Sequence, residues 1–261
     1  MSVSVSTNGK SRIPTIALST RWHSEPGRSQ WIAAHNFAAE YTLNPSAPQD
    51  LAQHVDPLLA AGVPVRYHGF FPQDDLGHQD PVAAENALAV QLTALEAMRG
   101  RGEQVITVHI GLSPQTPLDP DRAVENLTRL NERAKQLNIT VCLENLRYGP
   151  TSNPEVVVTW AKAAGTQITL DVGHAVTSPR VSAGELTVLD YIDIYDGRIF
   201  EAHIYERETD RHHPPQDMSI LGPIIDRLQE TRCNWWTIEL TDYAEALSTR
   251  TLLLDYLANK S

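Results

Sequence analysis

NPEVVVTWAKAAGTQITLDVGHA, residues 153–175, sets a helix and a strand back to back. Asn153 followed by Pro154 is a helix start, and Gly165 is a helix stop. TQITLDVG comes next, a β-branched and apolar run that ends in Asp171, with His174 three residues on. The same order recurs along the chain. Strand-like runs stand at 15–20 (TIALST), 38–43 (AAEYTL), 63–71 (VPVRYHGFF), 104–111 (QVITVHIG), 139–146 (ITVCLENL), 166–173 (TQITLDVG), 198–205 (RIFEAHIY) and 234–240 (NWWTIEL). Between them lie amphipathic stretches such as QDLAQHVDPLLAAG (49–62), DPVAAENALAVQLTALEAMRG (80–100) and DPDRAVENLTRLNERAKQL (119–137), two of them opened by Asp-Pro. Eight strands alternating with helices predict an α/β fold, a single-domain (β/α)8 TIM barrel. The 261 residues suit that fold, which takes about 250. The barrel is expected over 13–261, after a flexible start at 1–12. A doubly wound open sheet would call for a glycine-rich phosphate loop, and neither GxGxxG nor GxxxxGK[ST] occurs.

Charge and composition narrow the partners. With 32 acidic against 21 basic residues the net charge is −11, which lacks the electrostatic footprint of a phosphate-backbone binder, so nucleic acid is not the expected partner. No run approaches the roughly 20 apolar residues needed to cross a bilayer, and the opening MSVSVSTNGKSRIP lacks a signal-peptide core. A cytoplasmic protein without a membrane partner is expected. Cys142 and Cys233 form no CxxC pair and read as small core residues in a reducing compartment.

In a TIM barrel the working side chains come from the C-terminal ends of the strands. His68 ends the third run, His109 the fourth, Glu144 the fifth, Asp171 the sixth, His203 the seventh and Glu239 the eighth. Period-2 alternation points Glu201, His203 and Tyr205 inward while Ala202 and Ile204 face the helices; by the same parity Glu144, Asp171 and Glu239 face in, and Leu143, Leu170 and Ile238 face out. One such residue at a strand end is an ordinary polar group. Three carboxylates and several imidazoles converging on one mouth repel one another unless a cation or bound protons compensate them. A divalent metal is the economical solution, and mixed imidazole and carboxylate donors suit Mn, Mg, Co, Fe or Zn. Trp235 and Trp236, adjacent on the last run, are expected to pack one inward and one against helices.

At LEN (143–145), LDVGHA (170–175), AHIYE (202–206), DRHHPP (210–215) and IEL (238–240) the chain resembles the xylose-isomerase-like TIM-barrel superfamily, over nearly its whole length. That superfamily contains sugar and sugar-phosphate isomerases and epimerases, a 3-dehydroshikimate dehydratase and endonuclease IV. The resemblance implies a metal-dependent isomerase or epimerase acting on a sugar, sugar phosphate or related α-hydroxy-carbonyl compound. Glu144, Asp171, His203 and Glu239 would hold one divalent ion, with Glu144 and Glu239 as acid and base. His68, His109 and His174 would touch substrate or, with Asp210 and His212, ligate a second and third ion. The alternatives are a dehydratase of the 3-dehydroshikimate type and an endonuclease IV-like multi-zinc phosphodiesterase. Gln216 stands where the isomerase branch has the glycine of HPPG, so the loop after the seventh strand departs from that pattern. Arg147 and Arg180 are candidate clamps for a substrate carboxylate or phosphate. The expected partner is a small-molecule substrate, and a homo-oligomer is compatible with the sequence.

Overall fold

The computed structural model describes residues 13–24, 27–113, 115–195 and 197–260; the start expected to be flexible, 1–12, lies outside them. Eight parallel strands close into a barrel: β1 (Thr15–Arg21), β2 (Ala38–Thr42), β3 (Val65–Gly69), β4 (Val105–Val108), β5 (Thr140–Glu144), β6 (Gln167–Asp171), β7 (Ile199–Ile204) and β10 (Trp235–Ile238), with β1 pairing both β2 and β10. A two-stranded antiparallel hairpin, β8 (Arg207–Glu208) and β9 (His212–His213), rises from the end of β7.

After α1 (Arg28–Ala34) and α2 (Leu51–Ala60) come three helices that start where the sequence provides caps. Asp80, Asp119 and Asn153 each accept a backbone N–H from the first turn of α3 (Pro81–Met98), α4 (Pro120–Gln136) and α5 (Pro154–Ala164), and each is followed by proline at the first helical position. Gly165 closes α5 in the left-handed region at φ 74°. The outward side chains of the strands, among them Leu18, Tyr67, Ile106, Leu143, Leu170, Ile204, Trp236 and Ile238, are buried in one cluster with the apolar faces of the helices. No helix among the described residues is long and apolar enough to cross a membrane.

The interior of the barrel is built in tiers. At the bottom Ala17, Ala38 and Trp235 pack together. Above them the lining is polar yet satisfied: the Arg66 guanidinium lies 4.3 Å over the Trp235 ring, donates to Glu103 at 2.8 Å and reaches Glu201 at 3.4 Å. The Thr107 and Thr169 hydroxyls bond at 2.7 Å, and Thr237 donates to Glu201 at 3.1 Å. Trp236 points the other way, into the helical layer. The top tier is the cluster of imidazoles and carboxylates. His109 and Glu239 stand one residue beyond the ends of β4 and β10, rather than as the last strand residues that the sequence pattern predicts.

Candidate functional site

Six residues predicted from strand ends converge at the mouth of the barrel. Glu144 is central, with its Oε2 at 3.0 Å from His109 Nε2, 3.3 Å from His203 Nδ1 and 3.7 Å from His68 Nε2. His203 Nδ1 lies 3.7 Å from both Asp171 Oδ2 and Glu239 Oε2. His68 Nδ1 is 3.4 Å from Glu239 Oε1, and the two imidazoles of His68 and His109 approach to 3.1 Å. All six are almost completely removed from solvent.

The sixth strand runs directly into α6 (Val172–Thr177), which brings His174 into the same space. Asp171 caps this helix, accepting the His174 N–H at 2.7 Å, and is pinned by reciprocal bonds with Asn145 at 3.0 and 2.9 Å. Tyr205 donates to Asp171 Oδ2 at 3.0 Å and stacks on His212 at 3.9 Å. Gly173 allows this approach, since a Cβ there would meet the Tyr205 ring at 2.0 Å.

The outer nitrogens of four imidazoles are occupied. His109 Nδ1 donates to Gly69 O at 3.2 Å, His174 Nδ1 to Asn145 O at 3.0 Å and His212 Nδ1 to Glu239 O at 2.8 Å. His203 does the same through Nε2, 3.1 Å from the Glu40 carboxylate. A carbonyl or carboxylate can only accept, so each bond keeps a proton on that nitrogen, and in the neutral ring the other nitrogen's lone pair is turned toward the cavity. Two atoms facing that space, Glu144 Oε2 and His203 Nδ1, are buried without a hydrogen-bond partner among the described residues.

The electrostatics agree with a missing positive charge. Burial pushes His109, His174 and His203 down, but Glu144, Asp171 and Glu40 respectively lead the carboxylates that outweigh it and hold all three above the ordinary histidine value. Burial pushes Glu144 up, yet His109 and then His203 hold it well below the carboxylate range, whereas burial keeps Glu239 raised. His68 is driven down to about 3, by burial first. The chain thus collects protons to balance its carboxylates, the role a divalent ion would take over. Donor atoms of Asp171, His203 and Glu239, of Glu144, Asp171 and His174, of His68, His109 and Glu144, and of His174, Glu208 and His212 lie within 4.8 Å of one another in each group, so the residues present fit a metal.

Two predicted residues stand elsewhere. The Asp210 side chain is 87% exposed beside His213 and Thr209, because the hairpin turns it outward; Glu208, two residues earlier, occupies the place expected of it, 3.1 Å from His174 Nε2. Arg180 is held by Glu155 and Glu185 on the helical side and does not line the cavity, whereas Arg147 does. Sequence reasoning missed Glu208 and Glu40. Parity on AAEYTL, where Ala38, Glu40 and Thr42 share a face, carried the signal for Glu40.

The cavity above the cluster holds about 470 Å³ and is rimmed by Trp22, Phe70, Leu146, Arg147 and Tyr148. Residues 31–255 match the model of the family described as xylose isomerase-like TIM barrel. The chain belongs to this family. An uncharacterized protein of Methanocaldococcus jannaschii, MJ0008, is 32% identical over 186 residues, which are 70% of this chain and 80% of that protein. Among solved structures, a D-tagatose 3-epimerase-like protein superposes with a TM-score of 0.76 at 17% identity, covering 94% of this chain and 97% of its own. Endonuclease IV from Thermus thermophilus superposes with a TM-score of 0.69 at 14% identity, covering 94% and 100%. These likenesses establish that the xylose isomerase-like barrel is shared; they do not extend to the reaction.

Proposed function

We propose that the protein is a divalent-metal-dependent isomerase or epimerase of a sugar, sugar phosphate or related α-hydroxy-carbonyl compound. The observation that carries this reading is the pairing of Glu144 and Glu239, both within 3.7 Å of His203 Nδ1 and both lining the cavity. Two carboxyls facing one reacting centre are what removal and return of a carbon-bound proton require. The epimerase name of the D-tagatose 3-epimerase-like protein, whose fold this chain shares, favours the same class.

Glu144, Asp171, His203 and Glu239 would hold the ion. When bound, it supplies positive charge that acidifies a proton next to the substrate carbonyl and balances the charge left behind. Glu144, deprotonated, takes the proton, and Glu239 delivers one. Delivery to the opposite face gives an epimer, and delivery to the neighbouring carbon, with a hydroxyl proton passing from one oxygen to the other, interconverts aldose and ketose. Arg147 at the rim reaches an anionic substituent such as a phosphate or carboxylate, and His68, uncharged throughout the working pH range, binds substrate hydroxyls. The apolar rim limits water in the cavity.

A panel of ketoses, ketose phosphates and α-hydroxy-keto acids incubated with the protein in D₂O tests the reaction class. Deuterium is expected at the reacting carbon, and Glu144→Gln and Glu239→Gln are each expected to lose turnover by at least about 10²-fold, beyond any loss of metal. The groups His68–His109–Glu144 and His174–Glu208–His212 leave room for a second and third ion, which favours a phosphodiesterase as the second reading. An unlabelled panel together with cleavage of abasic-site DNA would replace the first reading by the second.

A further inference from the structure

We infer that Glu40, on β2, is a positioning residue that sets the donor nitrogen of His203. The inference rests on the metal centre proposed above. His109, His174 and His212 are each oriented by a backbone carbonyl, which no side-chain substitution removes. His203 alone among the four is oriented by a side chain, with its Nε2 3.1 Å from the Glu40 carboxylate. Both residues are fully buried. A carboxylate in such a place is costly to desolvate, and one of its oxygens, Oε2, has no hydrogen-bond partner among the described residues. The neighbouring cation, Arg66, is paired with Glu103 at 2.8 Å, and of the two imidazoles that face Glu40, His203 is the nearer, at 3.1 Å against 4.0 Å for His68.

The chemistry follows from the geometry. An ionised carboxylate accepting the Nε2–H keeps the proton on Nε2 and leaves Nδ1 as the lone-pair nitrogen, facing Glu144, Asp171 and Glu239. It also draws electron density into the ring, which makes Nδ1 a stronger donor to a cation than a carbonyl partner would. The imidazole at the centre of the proposed four-residue ligand set is thus strengthened by a residue on the far side of the barrel that does not face the reacting centre itself.

The test reads metal affinity and tautomer, not turnover. Zinc affinity is measured by competition with a chromophoric chelator for wild type, Glu40→Gln and Glu40→Ala, and the histidine ¹⁵N spectrum of the metal-free proteins is followed with rising pH until His203 is the neutral ring, in which the tautomer is read. Glu40→Ala is expected to weaken zinc binding by about 10- to 100-fold and to release His203 into a mixture of tautomers. Glu40→Gln, whose amide oxygen still accepts, is expected to keep the Nε2–H tautomer and recover part of the affinity. If Glu40→Ala does not fold, Glu40→Gln decides, with the tautomer unchanged and affinity lowered. Folded variants that bind zinc within twofold of wild type, or a wild-type His203 whose neutral ring carries its one proton on Nδ1, would overturn the inference. A wild type that takes up no divalent ion would instead remove the metal-dependent function while leaving the tautomer measurement to stand.

Discussion

Glu201 sits on β7 two residues below His203, fully buried, between Arg66 and Thr237. Burial and then the charge of Glu40 push its carboxyl up to about 8, although Arg66 pulls the other way. The folded chain therefore keeps this proton up to about pH 8, whereas the unfolded chain releases it near 4.5. The stabilisation from the held proton is complete below pH 4.5 and is lost as pH rises through 8. Denaturant midpoints of the metal-free protein between pH 5 and 8 should fall more steeply for wild type than for Glu201→Gln; equal slopes would show that Glu201 does not hold the proton. At this scale the sequence was partly legible. Parity placed Glu201, His203 and Glu239 inside the barrel, but no pattern in the chain says that Glu40 would meet His203, because that contact crosses the barrel. Arg180 read as a clamp for the complementary reason, since its partners Glu155 and Glu185 become visible only once α5 and the turn after α6 are folded side by side.

The junction of β6 and α6 shows how one element aims several side chains. Asp171 ends the strand, caps the helix and receives Tyr205, which stacks on His212 from the hairpin. Gly173 is the residue that lets the helix lie against that ring. Gly173→Ala should therefore displace Tyr205, cost about 1–3 kcal/mol in stability and weaken metal binding, as read by denaturation and zinc titration. A variant with unaltered stability and affinity would mean that the ring can move aside freely. Strands and helices were legible here because their caps and alternation are local. The β8–β9 hairpin was not, since DRHHPP fixes a spacing but not the direction of the turn, which is why Asp210 points to solvent and Glu208 reaches His174.

For the whole molecule, a closed barrel that draws Glu144, Asp171 and Glu239 from the ends of three strands to one mouth carries a charge problem that binding would relieve. A ligand that binds the folded chain alone stabilises it with the logarithm of its excess, by about 2.7 kcal/mol at a hundredfold excess over Kd. Zinc or manganese should raise Tm by several degrees and a chelator should lower it, and a Tm indifferent to both would argue against a metal at the mouth. The tiers below the mouth have a separate consequence. Trp235, Ala17 and Ala38, with Arg66 above them, fill the opposite end of the barrel, so a molecule in the cavity can leave only by the way it came. For the proposed reaction, incoming and outgoing molecules would then share one doorway and compete for it, so that accumulated product would slow turnover by occupying the entrance, past the rim formed by Trp22, Phe70 and Tyr148.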